Sequence, residues 1–168
     1  LAQALRERGH FVEILAAGRT TSSRLGVTLL GTTRPIRANG SVARVALGIG
    51  TARRVGRALK KGRYDVVHLH EPLVPSLCLA ALYSRRSALV GTFHMCNESS
   101  LPYRLLGPVL RWPLRRLSAQ IAVSESARTS AYPVSSGETA VIPNGIELSQ
   151  RAGGRPRAAT QRSMRRRV

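Results

Sequence analysis

Short apolar segments rich in β-branched residues recur along the chain. They lie at residues 11–17, 27–30, 64–70, 88–94, 119–124 and 139–143. Most are continuously apolar rather than alternating, which is typical of parallel strands buried on both faces. The pattern therefore predicts a sheet of parallel strands.

Helical patterns separate these segments, at residues 1–8, 51–61, 75–83 and 101–117. A short helix is also predicted after Ser124, whose hydroxyl suits the N-cap position. Residues 33–41 are predicted to form a loop, because they contain Pro35 and the turn pair Asn39 and Gly40. The alternation of strands and helices predicts an α/β fold, a Rossmann-like parallel sheet with helices on both faces.

Polar residues follow three predicted strands at their carboxyl ends, where parallel α/β sheets bind ligands. Residues 68–72 (HLHEP), which include Glu71, end one strand, and His94 ends the next. Asn144 and Gly145 follow the last strand. We therefore expect these positions to lie along one rim of the sheet, together with Asn39.

More than one role is consistent with each of the histidines at these strand ends. His94 can donate a hydrogen bond into a cleft or shuttle a proton, but its ring can also simply satisfy nearby backbone. His68 and His70 project to the same face of a strand, so a two-His metal clasp is geometrically feasible. A third ligand is not evident in the sequence, and we predict no metal site.

The chain is strongly basic, with 27 Lys and Arg against 8 acidic residues and a net charge of +19. Residues 151–168 hold seven Arg and no acid, lack periodicity, and are predicted to be disordered. Such charge predicts attraction to polyanions, either nucleic acid or an anionic lipid surface. No nucleic-acid-binding motif is present, so a specific nucleic-acid partner is not expected.

One predicted helix concentrates this charge. Its basic residues, with Val55, Ala58 and Leu59 between them, are Arg53, Arg54, Arg57, Lys60 and Lys61. A solvated face and a lipid-docking face both fit such a basic amphipathic helix. A second basic stretch, together with Tyr103 and Trp112, adds weight to lipid contact, and its residues are Arg104, Arg111, Arg115 and Arg116.

Cysteine spacing and hydropathy limit the cellular location that the sequence predicts. Cys78 and Cys96 form no CxxC or zinc-type pattern, and we expect free thiols in a cytosolic protein. No apolar run approaches the roughly 18 residues that span a bilayer. The chain opens on LAQALRERGH, a helical pattern rather than a signal peptide.

Several segments, in this order, resemble one family. They read LRERGHFVEILA, NGSVARVALGIGTARRVGRALKKGRYDVVHLHEPLVPSL, ALVGTFHM, AQIAVSESAR and AVIPNGIE. The chain is similar to the family 4 retaining glycosyltransferases, and most closely to the phosphatidylinositol α-mannosyltransferases of actinobacteria. The NGSVAR and D-V-x-H-x-HEP-x-x-PS-L stretches carry the most specific part of this resemblance.

The resemblance implies an enzyme of the GT-B fold, whose N-terminal Rossmann-like domain holds the acceptor. It implies transfer of mannose from GDP-mannose to a membrane phospholipid such as phosphatidylinositol, with retained anomeric configuration and no metal or other cofactor. The implied partners are a nucleotide-sugar donor, a phospholipid acceptor and an anionic membrane surface. The implied location is peripheral, on the cytoplasmic face of the cell membrane.

The resemblance also gives roles to individual residues. His94, in the FH motif, would lie in the cleft beside the transferred sugar as the catalytic residue. Asn39, in the NGS loop, would lie near the acceptor head group. The basic helix with Arg53, Arg54, Arg57, Lys60 and Lys61 would dock on the membrane.

The resemblance covers about residues 1–148, the expected acceptor-side domain, and residues 149–168 are expected to be an Arg-rich disordered tail. The start of the fold, including the first strand and its Gly-rich loop, and the donor-binding C-terminal domain are expected to be missing, so this fragment is expected to be inactive alone. Two alternatives stay open. One is a family 4 enzyme with another sugar or lipid acceptor, and the other is a basic polyanion-binding module without catalysis.

Overall fold

The computed structural model describes residues 1–18, 26–38, 41–46, 48–74, 77–83, 87–94, 111–135 and 137–145. The strands are β1 Ile14–Ala17, β2 Val27–Leu30, β3 Arg34–Ala38, β4 Ser41–Val45, β5 Val66–His70, β6 Ala88–Phe93, β7 Ala119–Ala122 and β8 Thr139–Val141. The helices are α1 Ala2–Glu7, α2 Ile49–Gly62, α3 Leu77–Ala81 and α4 Glu125–Ala131. Residues 111–114 form a further helical turn.

Four parallel strands form the main sheet, in the order β5-β6-β7-β8. In its register, His70 lies opposite Thr92, and Phe93 lies opposite Ala122. β1 and β2 form a second, smaller parallel sheet. Parallel strands need crossover connections, and α3 lies in the connection from β5 to β6 and α4 in the connection from β7 to β8. The predicted α/β fold, with parallel sheets flanked by helices, is confirmed.

Residues 33–41 differ from the prediction, because most of them belong to a β-hairpin. β3 and β4 pair antiparallel, with Arg34 opposite Val45 and Ala38 opposite Ser41. The predicted loop is wrong because Pro35 was taken to exclude a strand, whereas a two-stranded ribbon has only edge strands, which tolerate proline. An Asn-Gly pair between two short runs is itself a strong hairpin signal.

The core lies between the main sheet and the helices that pack on it. Leu69 and Leu89 from the sheet and Leu82 and Leu114 from the helical layer are at most 4% exposed. Burying one such leucine contributes about 2 kcal/mol. The predicted N-cap of α4 is confirmed, since Ser124 Oγ accepts a hydrogen bond from the Ala127 N–H at 3.1 Å.

Helix α2 is amphipathic, as its spacing predicts. Thr51, Val55 and Leu59 lie four residues apart and are its buried residues, and α2 packs against α3. The helix includes Gly62 and ends at Arg63, which has a left-handed backbone (φ 49°) and donates its N–H to the Leu59 carbonyl. The left-handed C-cap, rather than Gly62 itself, terminates the helix.

A cleft of about 550 Å³ lies between the β1 and β5 regions. Its lining includes Phe11 and Leu15 on one side and Val66 and Val67 on the other. In the part of the chain that the structure describes, β1 pairs only with β2, and β5 pairs only with β6. The two parallel sheets are therefore joined across the cleft by side chains rather than by a strand ladder.

Candidate functional site

The carboxyl ends of β5 and β6 bring three predicted residues into contact. His70 ends β5 opposite Thr92, and Glu71 and His94 each follow the end of a strand. Glu71 and His94 are half-buried, whereas His70 is exposed. This contact arises from the parallel register, which places neighbouring strand ends at one edge of the sheet.

Glu71 links the end of β5 to the end of β6 through two hydrogen bonds. Its own N–H donates to the Thr92 carbonyl at 2.9 Å, and its carboxylate Oε1 accepts a hydrogen bond from the His94 N–H. Its backbone is left-handed (φ 55°), which is uncommon for a residue other than glycine and costs about 1–3 kcal/mol. The surrounding hydrogen bonds hold this conformation, so the backbone of His94 has a fixed position.

His70 positions the ring of His94. The distance from His70 Nδ1 to His94 Nε2 is 2.9 Å, and the two ring centroids are 5.1 Å apart with the planes inclined by 25°. One of these nitrogens must carry the proton and the other must accept it. The pair therefore couples the tautomer of His94 to that of His70.

The environment keeps the histidines of β5 neutral near pH 7. Although the His70 side chain is exposed in part, the desolvation of its ring is the main factor that lowers its pKa, and a neighbouring His94 cation would lower it further. Burial likewise lowers the pKa of His68, followed by the effects of His70 and His94. Neutral rings can act as one donor and one acceptor, which the contact between His70 and His94 requires.

His68 and His70 lie on the same face of β5, and their ring centroids are 4.6 Å apart. Their nitrogens have different partners, since His68 Nε2 lies 2.6 Å from Thr92 Oγ1 whereas His70 bonds to His94. Among the described residues, no group of three His, Cys, Asp or Glu side chains could hold a metal ion. The rings of His68 and His70 are therefore stacked on each other, and each ring has its own hydrogen-bond partner.

The remaining predicted rim residues lie further along the same edge. Asn144 and Gly145 follow β8 and are exposed. Because β7 separates β8 from β6, these residues begin about two strand spacings, roughly 10 Å, from the His94 strand. Asn39 lies outside the described residues.

Cys78, in α3, contacts the end of β5 at this rim. It is free, and its thiol donates to the His70 carbonyl at 3.1 Å. Burial raises the pKa of the Cys78 thiol, so the thiol is a structural donor rather than a reactive thiolate. Cys96 lies outside the described residues.

Comparison with known proteins decides the family. Residues 1–150 match the family model described as Glycosyltransferase Family 4. The chain belongs to glycosyltransferase family 4. The family predicted from the sequence is thereby confirmed.

Three curated family 4 relatives are named Phosphatidyl-myo-inositol mannosyltransferase. The one from Propionibacterium freudenreichii is 40% identical over 153 residues, covering 86% of this chain and 40% of the relative. The one from Mycobacterium tuberculosis is 36% identical over 149 residues, covering 88% and 39%. The one from Mycobacterium leprae is 38% identical over 149 residues, covering 88% and 40%. The chain spans about two fifths of the length of these relatives.

The basic helix of this family 4 domain presents its charge outward. The residues predicted to dock on a membrane are all exposed, and they are Arg53, Arg54, Arg57, Lys60 and Lys61. Over the described ranges, no helix is both long enough and apolar enough to cross a bilayer. The apolar stripe of α2 is buried in the core, so its exposed cations are the part of the helix that a partner surface can reach.

Three contacts of this family 4 domain were not predicted. Thr92, 5% exposed, contacts His68. Glu13 accepts hydrogen bonds from Thr28 Oγ1 at 2.5 Å and from the Tyr64 hydroxyl. These two bonds lower the pKa of Glu13, whereas burial and Glu13 raise the pKa of Tyr64 to about 12. The partners are distant in the sequence, so only the fold reveals them.

Proposed function

We propose that this chain is the acceptor-side domain of a family 4 glycosyltransferase that transfers mannose from GDP-mannose to phosphatidylinositol. The names of its relatives, at 36–40% identity, support both the sugar and the lipid. The observation that carries the proposal is the contact of Glu71, His70 and His94 at adjacent strand ends. Ligands of parallel α/β sheets bind at that edge.

In this proposal His94 contacts the transferred mannose. The bond from the anomeric carbon to the diphosphate oxygen breaks, and a bond to an inositol oxygen forms. The proton of the inositol hydroxyl passes to the leaving diphosphate. Because His70 engages Nε2 of His94, Nδ1 is the nitrogen left to contact the sugar. A donor held in place before the reaction stabilises developing charge without reorganisation.

The other rim residues have supporting roles in the proposal. Asn39 binds the acceptor head group, and Glu71, Asn144 and Gly145 form the edge of the cleft. The family resemblance implies neither a metal nor an organic cofactor. The GDP moiety would be bound mainly by a second, C-terminal domain, so residues 1–168 alone are expected to show negligible transfer.

A fusion protein tests the catalytic proposal. Residues 1–148 are joined to the C-terminal part of the Propionibacterium freudenreichii relative and incubated with labelled GDP-mannose and phosphatidylinositol vesicles. We expect mannosyl transfer by the fusion, and a loss of about 10²–10⁴-fold in kcat for His94→Ala. His10→Ala, which removes an exposed histidine, is the matched control.

Two results would contradict this proposal. Unchanged transfer by His94→Ala would remove the role of His94. Robust transfer by residues 1–168 alone would show that a second domain is not needed. A fusion that accepts a soluble sugar but no lipid would favour the alternative acceptor class.

We also propose that α2 docks this domain on the cytoplasmic face of the membrane. The exposed cations of α2 support this role, since each basic residue near an anionic surface contributes about 1 kcal/mol. Flotation with phosphatidylglycerol vesicles is expected to recover the protein, and changing Arg53, Arg54, Arg57, Lys60 and Lys61 to Gln is expected to weaken binding. Exchanging Arg for Lys and Lys for Arg at the same positions keeps the charge and is the control.

The Arg-rich tail is the basis of the competing function, a polyanion-binding module. Deleting residues 151–168 removes seven Arg and leaves α2 intact. If vesicle binding survives this deletion, α2 carries the docking. If all affinity for anionic vesicles disappears, the tail is the binding element and the docking role of α2 is wrong.

A further inference from the structure

Two exposed aromatic side chains contact each other on the helical layer. Tyr83, just after α3, is 52% exposed, and Trp112, in the helical turn at residues 111–114, is 63% exposed. Their ring centroids are 6.2 Å apart, with the planes inclined by 45°. Two exposed rings in contact form a small apolar surface, and Tyr and Trp are enriched at interfaces where one end of the side chain is apolar and the other is hydrated.

The patch lies in a positively charged stretch of the chain. Arg111 and Arg115 are exposed, and they are one helical turn apart, since the Arg115 N–H donates to the Arg111 carbonyl at 3.0 Å. Residues 99–124 contain four Arg and no Asp or Glu. The charge around the aromatic pair therefore favours an anionic partner.

The patch is connected to the basic helix through α3. Helix α2 packs against α3, and the Tyr83 N–H donates to the Ala80 carbonyl at 3.3 Å, at the end of the same helical segment. The exposed cations of α2 and the aromatic pair therefore belong to neighbouring parts of one helical layer.

We propose that Tyr83 and Trp112 form an aromatic anchor that enters the head-group region of an anionic bilayer, with Arg111 and Arg115 binding lipid phosphates. This inference rests on the proposed membrane function and deepens it. Tyr and Trp favour the membrane interface because each ring is apolar with one polar group. Charge alone is screened by salt, whereas buried rings retain the protein when salt rises.

Nucleic acid fits the patch less well than lipid. Aromatic residues that bind single strands present open faces on which successive bases stack. Here the two rings contact each other at an inclination of 45°, so they form one wedge rather than a row of stacking platforms.

The single tryptophan of the chain makes the anchor directly observable. Its emission is recorded for the full chain with phosphatidylglycerol vesicles, with phosphatidylcholine vesicles and with a single-stranded oligonucleotide. We expect a blue shift with phosphatidylglycerol vesicles, and quenching when their acyl chains carry bromine near the head group. Neither change is expected with the oligonucleotide.

Variants measure the contribution of the anchor. Trp112→Ala and Tyr83→Ala are each expected to weaken partitioning into phosphatidylglycerol vesicles at high salt by roughly tenfold, the effect of removing one aromatic contact area. Tyr132→Ala, which removes a 74% exposed ring on α4's carboxyl side, is the matched control and is expected to bind normally. Circular dichroism confirms that each variant is folded.

The outcomes separate this inference from the docking role of α2. Vesicle binding with no change in Trp112 emission would overturn the anchor and leave α2 docking in place. A shift caused by the oligonucleotide and not by vesicles would overturn the lipid assignment. Absence of any vesicle binding would overturn both.

Discussion

His94 is held at two points, by Glu71 through its backbone and by His70 through its ring. The backbone contact sets where the residue lies, and the ring contact engages its Nε2. The roles of the two neighbours can be separated because Glu71 bonds to the main chain and His70 bonds to the imidazole.

In the active fusion, His70→Ala is expected to lower kcat by about five- to tenfold, which corresponds to the loss of one hydrogen bond of roughly 1 kcal/mol. Steady-state kinetics with labelled donor measure the effect. His68→Ala is the control, because His68 bonds to Thr92 rather than to His94. Equal losses in the two variants would show that His70 has no special relation to His94.

Stability is expected to fall as the medium becomes acidic from neutral pH. The pKa values of His68 and His70 are lowered in the folded protein, mainly by burial, so the unfolded chain binds protons first. Their contribution is complete above the unfolded pKa of about 6.5 and declines as the pH falls through that value toward the folded pKa values. Urea unfolding at about pH 7.5 and about pH 5.5 measures the decline.

The double variant His68→Asn with His70→Asn should show a smaller difference between the two pH values. His10→Asn, at an exposed position, should leave the difference as in the parent protein. If the double variant lost as much stability between the two pH values as the parent protein, groups other than His68 and His70 would be the ones that titrate.

The sequence indicated the position of His94 and its neighbours but not their contacts. A His at the end of an apolar strand is visible in the sequence, and parallel topology then brings the strand ends to one edge. That His70 would bond to His94 depends on the register of β5 with β6. Register is set by packing over the whole sheet, which single-sequence patterns do not contain.

At the scale of elements, α2 carries a glycine that the helix does not need for its packing. Gly56 lies on the exposed side, and an added Cβ would meet no atom within 4 Å. Gly56→Ala is therefore expected to raise the free energy of unfolding by about 0.5–1 kcal/mol, since alanine loses less backbone entropy in a helix. Thermal and urea unfolding measure the change.

Gly62 in the last turn of α2 provides the contrast. An added Cβ there would collide with the ring of Tyr64, so Gly62→Ala is expected to destabilise the protein. If both alanine variants raised the free energy of unfolding, intrinsic helix propensity rather than local packing would dominate in α2.

Element boundaries show which signals in the sequence were reliable. The spacing of Val55 and Leu59 predicted the buried face of α2, and the hydroxyl of Ser124 predicted the start of α4. The extent of β1 was overestimated, because Phe11 was counted as part of a buried strand although it is 83% exposed. An apolar residue continues a pattern in the sequence even where the fold leaves its side chain exposed.

At the scale of the whole molecule, the two parallel sheets are linked across the cleft by the hydrogen bond from Tyr64 to Glu13. Tyr64→Phe removes this bond and is expected to cost about 1 kcal/mol at this part-exposed site. Urea unfolding measures the loss, and Tyr132→Phe, which changes a 74% exposed residue, is expected to alter stability by less than about 0.5 kcal/mol. A negligible cost at Tyr64 would mean that apolar packing alone joins the sheets.

The class of fold could be predicted from the alternation of strands and helices, but the separation of β1 and β2 from the main sheet could not. Strand order depends on which strand edges meet after folding. The apolar runs at residues 11–17 and 64–70 both predict a buried strand, and neither run indicates which strand it pairs with. The domain limits at residues 148 and 149 stay a prediction, since residues 146–168 lie outside the described ranges.

One edge of β5 pairs with no strand among the described residues, and this edge bears on how the protein behaves in concentrated solution. Val66 begins this strand and is 56% exposed, and a strand edge of that kind can add a strand from a second copy. We expect light scattering to rise with concentration, and Val66→Lys to suppress the rise, because lysine on an edge strand discourages intermolecular pairing. Tyr132→Lys adds the same charge away from any strand and should not help, so aggregation can be reduced at one residue without altering the rim of the sheet.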